Sequence, residues 1–376
     1  MRVLHVITGL HAGGAEQQLA SLLEHTRHDA EVVTMYSPGI VAQRLVERGI
    51  PVHHLGRPHQ LDVRALRDLV GLLRRGRYDV VHTHLYRACL YGRTAARIAG
   101  VPTIVATEHS LGDTQIEGRP TTWPVRRLYL ASERLGHHTI AVSEAARRRL
   151  VAWGVRADRI SVIPNGIDVG RYAFDPTARR RERAVLGIPD EHVAIGAVGR
   201  LHPIKRFDML LESSAPLLRN GATWLVIVGR GECETALREL AARLGIADRV
   251  RFLGERGDIP ALLSALDVYA APSAEETFGL AAIEALCTGL PAVVGACPAI
   301  DELYVPGVLR CSDAPSLQAA LDELCTRLRT GEAASRLPPA AVADRMDIGH
   351  VAAAVDNLYQ NIRTRSAEPS RQQTPA

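Results

Sequence analysis

Short apolar runs rich in β-branched residues alternate with segments of helical periodicity along almost the whole chain. In the first half, the runs lie at 3–8, 30–35, 52–55, 80–82, 103–107, 139–142 and 160–163. Helical segments separate them, for example at 15–25, 63–74 and 144–153. Strands joined through helices pair in parallel, and continuous apolar runs are typical of strands covered on both faces. The pattern therefore predicts an α/β protein with helices on both faces of parallel sheets.

The alternation pauses once and then restarts. Residues 163–168 read Ile-Pro-Asn-Gly-Ile-Asp, a concentration of turn-forming residues. Further runs follow at 193–198, 224–228, 250–252, 268–270 and 292–294. A chain of 376 residues is long enough for two cores. We therefore expect an N-terminal domain over 1–168, a C-terminal domain over 169–345, a helix over 346–363 that returns to the first domain, and a disordered tail over 364–376.

Composition excludes several classes of protein. The formal net charge is only +4 with acidic residues interspersed, and aromatic residues make up 4% of the chain, so nucleic acid is not an expected partner. The six cysteines show no C-x-x-C pair, and no apolar run approaches the length of a membrane span. The first apolar run, residues 1–7, is too short for a signal peptide, so we expect none. We expect a cytoplasmic protein with reduced cysteines.

Lys205 is the only lysine, and all the other long cationic side chains are arginines. It follows the predicted strand 193–198 and the turn Gly199-Arg200, where the sheet of an α/β protein meets its ligand. A compact ammonium in an arginine-biased chain suggests a place where a point charge is needed instead of a planar fork. We interpret Lys205 as a candidate ligand-binding residue.

The segment after the run at 268–270 carries the strongest functional signal. Phe278-Gly279 opens a predicted helix, whose first amides have no intrahelical acceptor and, with the helix dipole, form an anion site. Glu276 precedes this helix start, and Glu284 lies about one and a half turns inside the helix. A carboxylate, free amides and a deeper carboxylate suit a ligand that offers hydroxyl, phosphate and hydroxyl in that order. A nucleotide-sugar has this order.

These residues resemble the signature of the retaining GT-B glycosyltransferases of family 4. That signature has a serine, a Glu-x7-Glu pair enclosing Phe-Gly, and a Gly-x-Pro-Val strand, and here the matching residues are Ser273, Glu276, Phe278, Gly279, Glu284 and 289–293. The resemblance covers roughly residues 1 to 363. It implies two Rossmann-like domains facing across a cleft, with the nucleotide-sugar on the C-terminal domain and the acceptor on the N-terminal one.

The resemblance also implies residue roles. Glu284 would bind the ribose hydroxyls, Glu276 the hydroxyls of the donor sugar, and Arg200 and Lys205 the diphosphate. His109 would lie beside the donor sugar and act with Arg200, Lys205 and Glu276 in catalysis. The remaining implied donor contacts are Gly14, Gly199, Gly229, Phe278, Gly279 and Leu280, and the implied acceptor contacts are Gly13, His84 and His109. Two positions depart from the family pattern: Arg230 stands where aspartate is common, and Arg206 where glycine is common.

The histidines at 82, 84 and 109 raise the question of a metal. His82 and His84 are alternate residues of one run and would share a face. The sequence offers no third ligand at a clear spacing and no Asp-x-Asp for a diphosphate-bound ion. We therefore predict no metal site and no cofactor, since the nucleotide-sugar is a substrate.

Residues 119–138 interleave arginines with apolar residues and are interpreted as a basic amphipathic helix. One reading is a surface helix with its apolar face inward. The other is a peripheral contact with an anionic membrane next to a lipid-linked acceptor. Both readings stay open at this stage.

The sequence predicts a metal-independent retaining hexosyltransferase. The expected donor is a nucleoside-diphosphate sugar, with UDP as the expected nucleotide, and the sugar moved is a hexose or N-acetylhexosamine. The expected acceptor is a hydroxyl of a small molecule, glycan or lipid. The alternatives are a GT-B nucleotide-sugar epimerase or hydrolase and a non-catalytic nucleotide-sugar-binding protein. A dehydrogenase is disfavoured because the loop at 9–16 lacks G-x-G-x-x-G spacing.

Overall fold

A computed structural model describes residues 1–11, 13–36, 38–57, 62–117, 119–305, 307–331 and 336–367. The chain forms two compact units. Unit 1 combines Met1–Gly166 with the C-terminal segment that begins at Ile348, and unit 2 is Ile167–Asp347. The chain therefore leaves unit 1 directly after the Pro-Asn-Gly turn at 164–166 and returns to it near the predicted start of the last helix.

Unit 1 is built on a seven-stranded parallel sheet. Its strands and the short hairpin β6–β7 are β1 Arg2–Ile7, β2 Asp29–Thr34, β3 Val52–His54, β4 Val80–His84, β5 Thr103–Glu108, β6 Gln115–Ile116, β7 Arg119–Pro120, β8 His138–Ala141 and β9 Ile160–Val162. The helices are α1 Gly14–Leu23, α2 Gly39–Glu47, α3 Val63–Gly76, α4 Tyr86–Ala99, α5 Trp123–Glu133 and α6 Glu144–Trp153. The strand order is β3-β2-β1-β4-β5-β8-β9.

Both faces of this sheet are covered. Along β1, Leu4 and Val6 pack with residues of α3 and α4, whereas Val3 packs on the opposite face with Val351 and Val355 of the C-terminal helix. Successive strand residues point to opposite faces, so a strand buried on both sides is apolar throughout. This is the physical reason that the unbroken apolar runs of the sequence became central strands.

Unit 2 repeats the design with a six-stranded parallel sheet. Its strands are β10 Val193–Val198, β11 Thr223–Val228, β12 Val250–Phe252, β13 Val268–Ala271, β14 Ala292–Val294 and β15 Leu309–Arg310, in the order β12-β11-β10-β13-β14-β15. Its helices are α7 Pro176–Leu186, α8 Phe207–Arg219, α9 Glu234–Arg243, α10 Ile259–Ala265, α11 Leu280–Cys287, α12 Pro298–Leu303, α13 Ala314–Arg329 and α14 Ala340–Met346. The short edge strand β15 was not predicted.

The last helix, α15, runs over Ile348–Ala367 and belongs to unit 1. Its Asp356 carboxylate accepts hydrogen bonds from the Thr26 hydroxyl at 2.9 Å and the Arg27 amide at 3.1 Å. The predicted disordered tail began at 364, but the helix continues through 367 and that part of the prediction is wrong. Residues 368–376 lie outside the described residues.

The predicted single helix over 119–138 is also corrected. Residues 119 and 120 belong to the hairpin, and α5 covers only Trp123–Glu133. Pro124 occupies the first turn of α5, where proline favours a helix start, so the sequence does carry a signal for this later beginning. No helix among the described residues has the length and apolar character needed to cross a membrane.

Each sheet has a switch point, where the chain connections from two neighbouring strands lead toward opposite edges of the sheet. In unit 2 it lies between β10 and β13, and in unit 1 between β1 and β4. Ligands of open α/β sheets bind beyond the carboxyl ends of the strands at such points. The loops that follow β10 and β13 carry Lys205 and Glu276.

Candidate functional site

The loops at the switch point of unit 2 bring Lys205 and Glu276 together. Lys205 ends a 3₁₀ turn, Pro203–Lys205, and its Nζ donates to Glu276 Oε1. The Ser273 hydroxyl donates to the same oxygen at 3.0 Å. A backbone hydrogen bond of 2.8 Å from Ala274 N to Ile204 O fastens the two loops together. The side chains of Lys205 and Glu276 are 25% and 19% exposed, so the pair is sheltered but open to a ligand.

The helix start next to this pair is shaped by a glycine. Gly279 has φ of +97°, and a Cβ atom there would lie 2.3 Å from Cys297 Sγ. Both facts require glycine at this position. Among the described residues no side chain caps the start of α11, so the amides of Leu280 and Ala281 have no intrahelical acceptor. The geometry of this helix start is compatible with the predicted anion site, which stays a prediction.

Glu284 has a partner that the sequence did not reveal. Its Oε1 accepts a hydrogen bond of 2.8 Å from the hydroxyl of Tyr172. Burial raises the pKa of Glu284 to about 7, against the opposing effects of Tyr172 and the nearby Arg171. Tyr172 lies just after the turn-forming segment 163–168, and that position is the only local signal that could have drawn attention to it.

Apart from Gly14, which lies at the start of α1 in unit 1, the remaining predicted donor contacts lie at the same edge of the unit 2 sheet. Gly199 and Gly229 follow β10 and β11, and a Cβ atom at Gly229 would lie 1.9 Å from Gly199 O. Phe278 is buried and Leu280 is half-buried. Arg200 is exposed, and its guanidinium makes no ion pair within the part of the chain that the structure describes. It is therefore near Lys205 in sequence without joining the Lys205–Glu276 pair.

The two departures from the family pattern have local contexts. Arg206 precedes α8 with φ of 55°, in the left-handed region that glycine adopts at little cost. The position thus suits the glycine that is common in the family. Arg230 lies against Gly254, whose hypothetical Cβ would be 3.3 Å from Arg230 Nε. Nothing in the structure explains why arginine is present at 230.

In unit 1, four histidines lie close together: His5 and His82 within the neighbouring strands β1 and β4, His84 at the end of β4, and His109 directly after β5. His5 Nδ1 lies 3.0 Å from His84 Nε2, and His84 Nδ1 lies 3.1 Å from His109 Nε2. His82 is hydrogen-bonded to the hydroxyl of Tyr359 at 2.6 Å and to that of Thr107 at 2.7 Å. Burial lowers the pKa of His5 to about 3 and that of His109 to about 4, and it lowers the pKa values of His82 and His84 well below the ordinary range.

The sequence argument against a metal was incomplete, because His5 supplies the third imidazole. Nitrogens of His5, His82 and His84 all lie within 4.8 Å of one another. Both nitrogens of His82 and both of His84 are already hydrogen-bonded. The geometry is that of a network of neutral imidazoles, and the prediction of a metal-free site stays a prediction.

The predicted acceptor residues occupy different environments. His84 is buried and lies between His5 and His109, so its position fits support of His109 and not the direct acceptor contact that we predicted. His109 is half-buried, and a hydrogen bond with the Asn165 side chain opposes the effect of burial on its pKa. Gly13 and Gly14 stand at the start of α1, where a Cβ on Gly13 would lie 2.3 Å from Glu16 Oε2.

Helix α5 presents a mixed apolar and cationic stripe to solvent. Trp123 is 68% exposed and Leu128 is 48% exposed. The Arg127 guanidinium lies 4.6 Å from the centre of the Trp123 ring, and Arg134 is also exposed. The inward side of α5 includes the buried Tyr129. The helix therefore does not turn all its large apolar residues inward.

Comparison with known proteins identifies the family. Residues 12–171 match the family described as Glycosyltransferase Family 4, and residues 178–336 match Glycosyl transferases group 1. The chain is 30% identical over 326 residues to a D-inositol 3-phosphate glycosyltransferase of Stackebrandtia nassauensis, with 79% of this chain and 71% of the relative covered. It is 32% identical over 238 residues to the UDP-Gal:alpha-D-GlcNAc-diphosphoundecaprenol alpha-1,3-galactosyltransferase of Escherichia coli, with 62% of each covered.

Several relatives are matched over only part of their length. The shares covered are 62% for the E. coli protein and 50 to 60% for most of the other D-inositol 3-phosphate glycosyltransferases. Among solved structures, the fold resembles that of Anabaena Alr3699/HepE in complex with UDP and glucose, with a TM-score of 0.84 at 24% identity, covering 96% of this chain and 100% of that one. The predicted fold class is confirmed: this chain belongs to the family 4 glycosyltransferases and has two Rossmann-like domains of the GT-B type.

Proposed function

We propose that this chain is a retaining glycosyltransferase that transfers a hexose or N-acetylhexosamine from a UDP-sugar to a hydroxyl acceptor without a metal ion. The observation that carries the proposal is the group formed by Lys205, Glu276 and Ser273 beside the uncapped start of α11. Glu284 lies farther along the same helix. One unit thus offers a cation, free amides and two carboxylates to a single ligand.

The chemistry of the donor explains why these groups would act together. As the bond from the sugar to the diphosphate breaks, negative charge grows on the leaving phosphate. Lys205, Arg200 and the amides of Leu280 and Ala281 would stabilise that charge, and each well-placed donor of this kind contributes roughly 3 kcal/mol. The contact between Glu276 and Lys205 would weaken, and the Glu276 carboxylate would accept hydrogen bonds from hydroxyls of the sugar. No divalent ion is required if these groups suffice.

We propose retention of anomeric configuration through front-face displacement. The departing phosphate oxygen takes the proton of the acceptor hydroxyl while that hydroxyl oxygen bonds to the anomeric carbon. The charge balances because the leaving diphosphate gains one proton and the acceptor loses one. We keep the assignment of His109 to catalysis as part of this proposal; its neutral imidazole can donate or accept one hydrogen bond.

Two comparisons support the choice of donor and acceptor. The E. coli relative is named for a UDP-galactose donor and a diphosphoundecaprenol acceptor, and HepE has been crystallised with UDP and UDP-glucose. A lipid-linked acceptor would fit the exposed stripe of α5, because tryptophan and leucine insert into a membrane interface while arginine meets anionic headgroups. We therefore propose peripheral membrane contact through Trp123, Arg127 and Leu128.

The test is a panel of nucleoside-diphosphate sugars assayed for donor turnover with and without acceptor lipids or glycans. We expect UDP-sugar turnover that persists in EDTA, with the product anomer matching that of the donor by NMR. Lys205→Ala should lower kcat at least 100-fold with the fold intact. Arg238→Ala, which removes an exposed cation of α9 from the same unit, is the matched control and should leave kcat unchanged.

Three outcomes would contradict the proposal. Near-normal turnover by Lys205→Ala would show that this side chain is not needed to bind the diphosphate. Release of free sugar or an epimer at equal rates with and without acceptor would indicate a hydrolase or an epimerase. Binding of UDP-sugars with no turnover of any donor and acceptor pair would indicate a non-catalytic binding protein.

A further inference from the structure

The two carboxylate oxygens of Glu284 are in different states. Oε1 accepts the 2.8 Å hydrogen bond from the Tyr172 hydroxyl. Oε2 makes no hydrogen bond among the described residues and does not belong to the buried atoms that lack a partner. The carboxylate is thus fixed through one oxygen and open through the other.

Hydrogen bonds on both sides fix the backbone of Tyr172. The Thr288 hydroxyl, one turn beyond Glu284, lies 3.0 Å from Tyr172 O and 3.3 Å from Glu284 O. On its other side, Tyr172 N donates to Asp168 O at 3.3 Å, and the Asp168 carboxylate accepts from Arg171 N at 3.0 Å. The loop that carries the phenol and the helix that carries the acid are therefore joined at Thr288.

We propose that Tyr172 is a positioning residue for the nucleotide, holding one oxygen of Glu284 so that the other accepts hydroxyls of the ribose. The inference rests on the proposed function, because it takes a ribonucleoside diphosphate as the ligand. It assigns Tyr172 a role in recognising the vicinal diol of a ribose. It predicts that loss of the phenol hydroxyl weakens the preference for ribose over deoxyribose. If Tyr172 only packed against its neighbours, loss of the hydroxyl would not change that preference.

The charge state of Glu284 gives a second consequence. An ionised carboxylate only accepts hydrogen bonds and can accept from two hydroxyl groups. A carboxylic acid carries an O–H donor on one oxygen, which leaves less acceptor capacity for the ligand. A hydrogen bond from Tyr172 favours the ionised form and opposes the effect of burial. The other titratable or charged groups near Glu284 are Arg171 on the same loop as Tyr172, Cys287 on α11 and Tyr269 on β13. Arg171 is the only permanent charge among them.

The experiment measures UDP and 2′-deoxy-UDP affinity of the full chain by calorimetry across neutral pH. For the unaltered protein, we expect UDP to bind about tenfold more tightly than 2′-deoxy-UDP, as for loss of a hydrogen bond to a charged group. In Tyr172→Phe the ratio should fall to about twofold. The loss of UDP affinity on acidification should begin at a higher pH in the variant, because the pKa of Glu284 rises without the phenol. Protonation of UDP itself affects the unaltered protein and the variant equally, so it does not contribute to the difference between their pH profiles.

Two further variants serve as controls. Tyr304→Phe removes the hydroxyl of a 90% exposed tyrosine in the same unit and should change neither the ratio nor the pH profile. In a Glu284→Gln background, Tyr172→Phe should no longer shift the pH profile, because no carboxylate remains to titrate. Thermal unfolding checks that each variant is folded.

The outcomes separate this inference from the proposed function. If the unaltered protein binds no nucleoside diphosphate, the proposed function fails. If the unaltered protein binds UDP and Tyr172→Phe keeps the same ribose preference and pH profile, the positioning role of Tyr172 is overturned while the donor site stands. A uniform loss of affinity for UDP and 2′-deoxy-UDP with an unchanged pH profile would likewise overturn it, because that is the signature of altered packing.

Discussion

Unit 1 should lose stability in mild acid because its histidines are buried in the neutral form. An unfolded histidine titrates near pH 6.5. The folded pKa of His5 is about 3 and that of His109 about 4, so below pH 6.5 the unfolded chain binds protons that the folded unit does not. Stability is present above that pH and is lost as pH falls. From about pH 7.5 to about pH 5.5, each such histidine lowers the free energy of unfolding by about 1.3 kcal/mol. The pKa values of His82 and His84 are shifted in the same direction, so these two residues add to the loss.

Two buried carboxyl groups of the same unit act with the opposite sign. Burial raises the pKa of Glu108 and that of Glu16 to about 7, so the folded unit keeps protons that the unfolded chain releases above its own pKa near 4.5. This contribution is present at low pH and is lost as pH rises through about 7. Over the same acidification each carboxyl group adds about 1.8 kcal/mol. These two carboxyl groups therefore offset part of the loss that the histidines cause.

The decisive perturbation is Glu108→Gln. Glu108 is fully buried, and its Oε1 accepts a hydrogen bond of 3.1 Å from Ser110 N that a glutamine oxygen can also accept. Glutamine does not titrate, so the variant loses one compensating group. It should lose about 2 kcal/mol more than the unaltered protein between about pH 7.5 and about pH 5.5. Replacing an acid by a neutral amide would thus make the protein more sensitive to acid.

The assay is urea unfolding followed by tryptophan fluorescence at a series of pH values. Trp123 and Trp153 lie in unit 1 and Trp224 in unit 2, so a Trp224→Phe background reports on unit 1 alone. Linear extrapolation gives the free energy of unfolding at each pH. If Glu108→Gln had the same pH dependence as its background, Glu108 would be ionised in the folded protein and the reasoning would be wrong.

Three shorter predictions concern backbone geometry and the surface. Arg206→Gly should leave the stability of unit 2 unchanged or raise it by up to about 1 kcal/mol in thermal unfolding, because glycine relieves the left-handed conformation; a clear loss would contradict this. Gly279→Ala should destabilise unit 2 by about 2 kcal/mol or more and weaken UDP binding measured by calorimetry, because φ of +97° is strained and the new Cβ meets Cys297 Sγ. Trp123→Ser combined with Leu128→Ser should lower sedimentation with anionic vesicles about tenfold at unchanged thermal stability, and equal binding would remove α5 from the membrane-contact proposal.

The sequence predicted most of the two sheets because buried parallel strands carry their signal locally. The run at 80–82 was predicted to end at His82, whereas β4 continues to His84. Histidine was taken as a polar strand end, but these imidazoles are buried and neutral and pair with one another inside the unit. Composition alone does not reveal such pairing, since His5 and His84 are 79 residues apart.

The candidate site also contains residues that local spacing could predict and one distant partner that it could not. Glu276, Gly279 and Glu284 lie within one short segment, so their relation to a helix start could be predicted from spacing. The rule that ligands gather at the carboxyl ends of parallel strands placed Lys205 and Glu276 at one edge of the sheet, but the direct contact between the two side chains was not predicted. Tyr172 was missed because it is 112 residues from Glu284, and no local pattern marks a tyrosine after a turn as a partner of a distant helix.

Three residues of unit 2 with unusual backbone conformations lie where the proposed donor would bind. Arg206, Gly229 and Gly279 all have positive φ, at 55°, 136° and 97°. They lie in the segments that follow β10, β11 and β13, the three neighbouring strands around the switch point. A sheet fixes the positions of its strand ends but not the direction in which amides leave them, and these conformations set that direction. The fold thus determines where a ligand can bind, whereas in the proposed function a few backbone angles and the side chains of Lys205, Glu276 and Glu284 would determine which ligand it is.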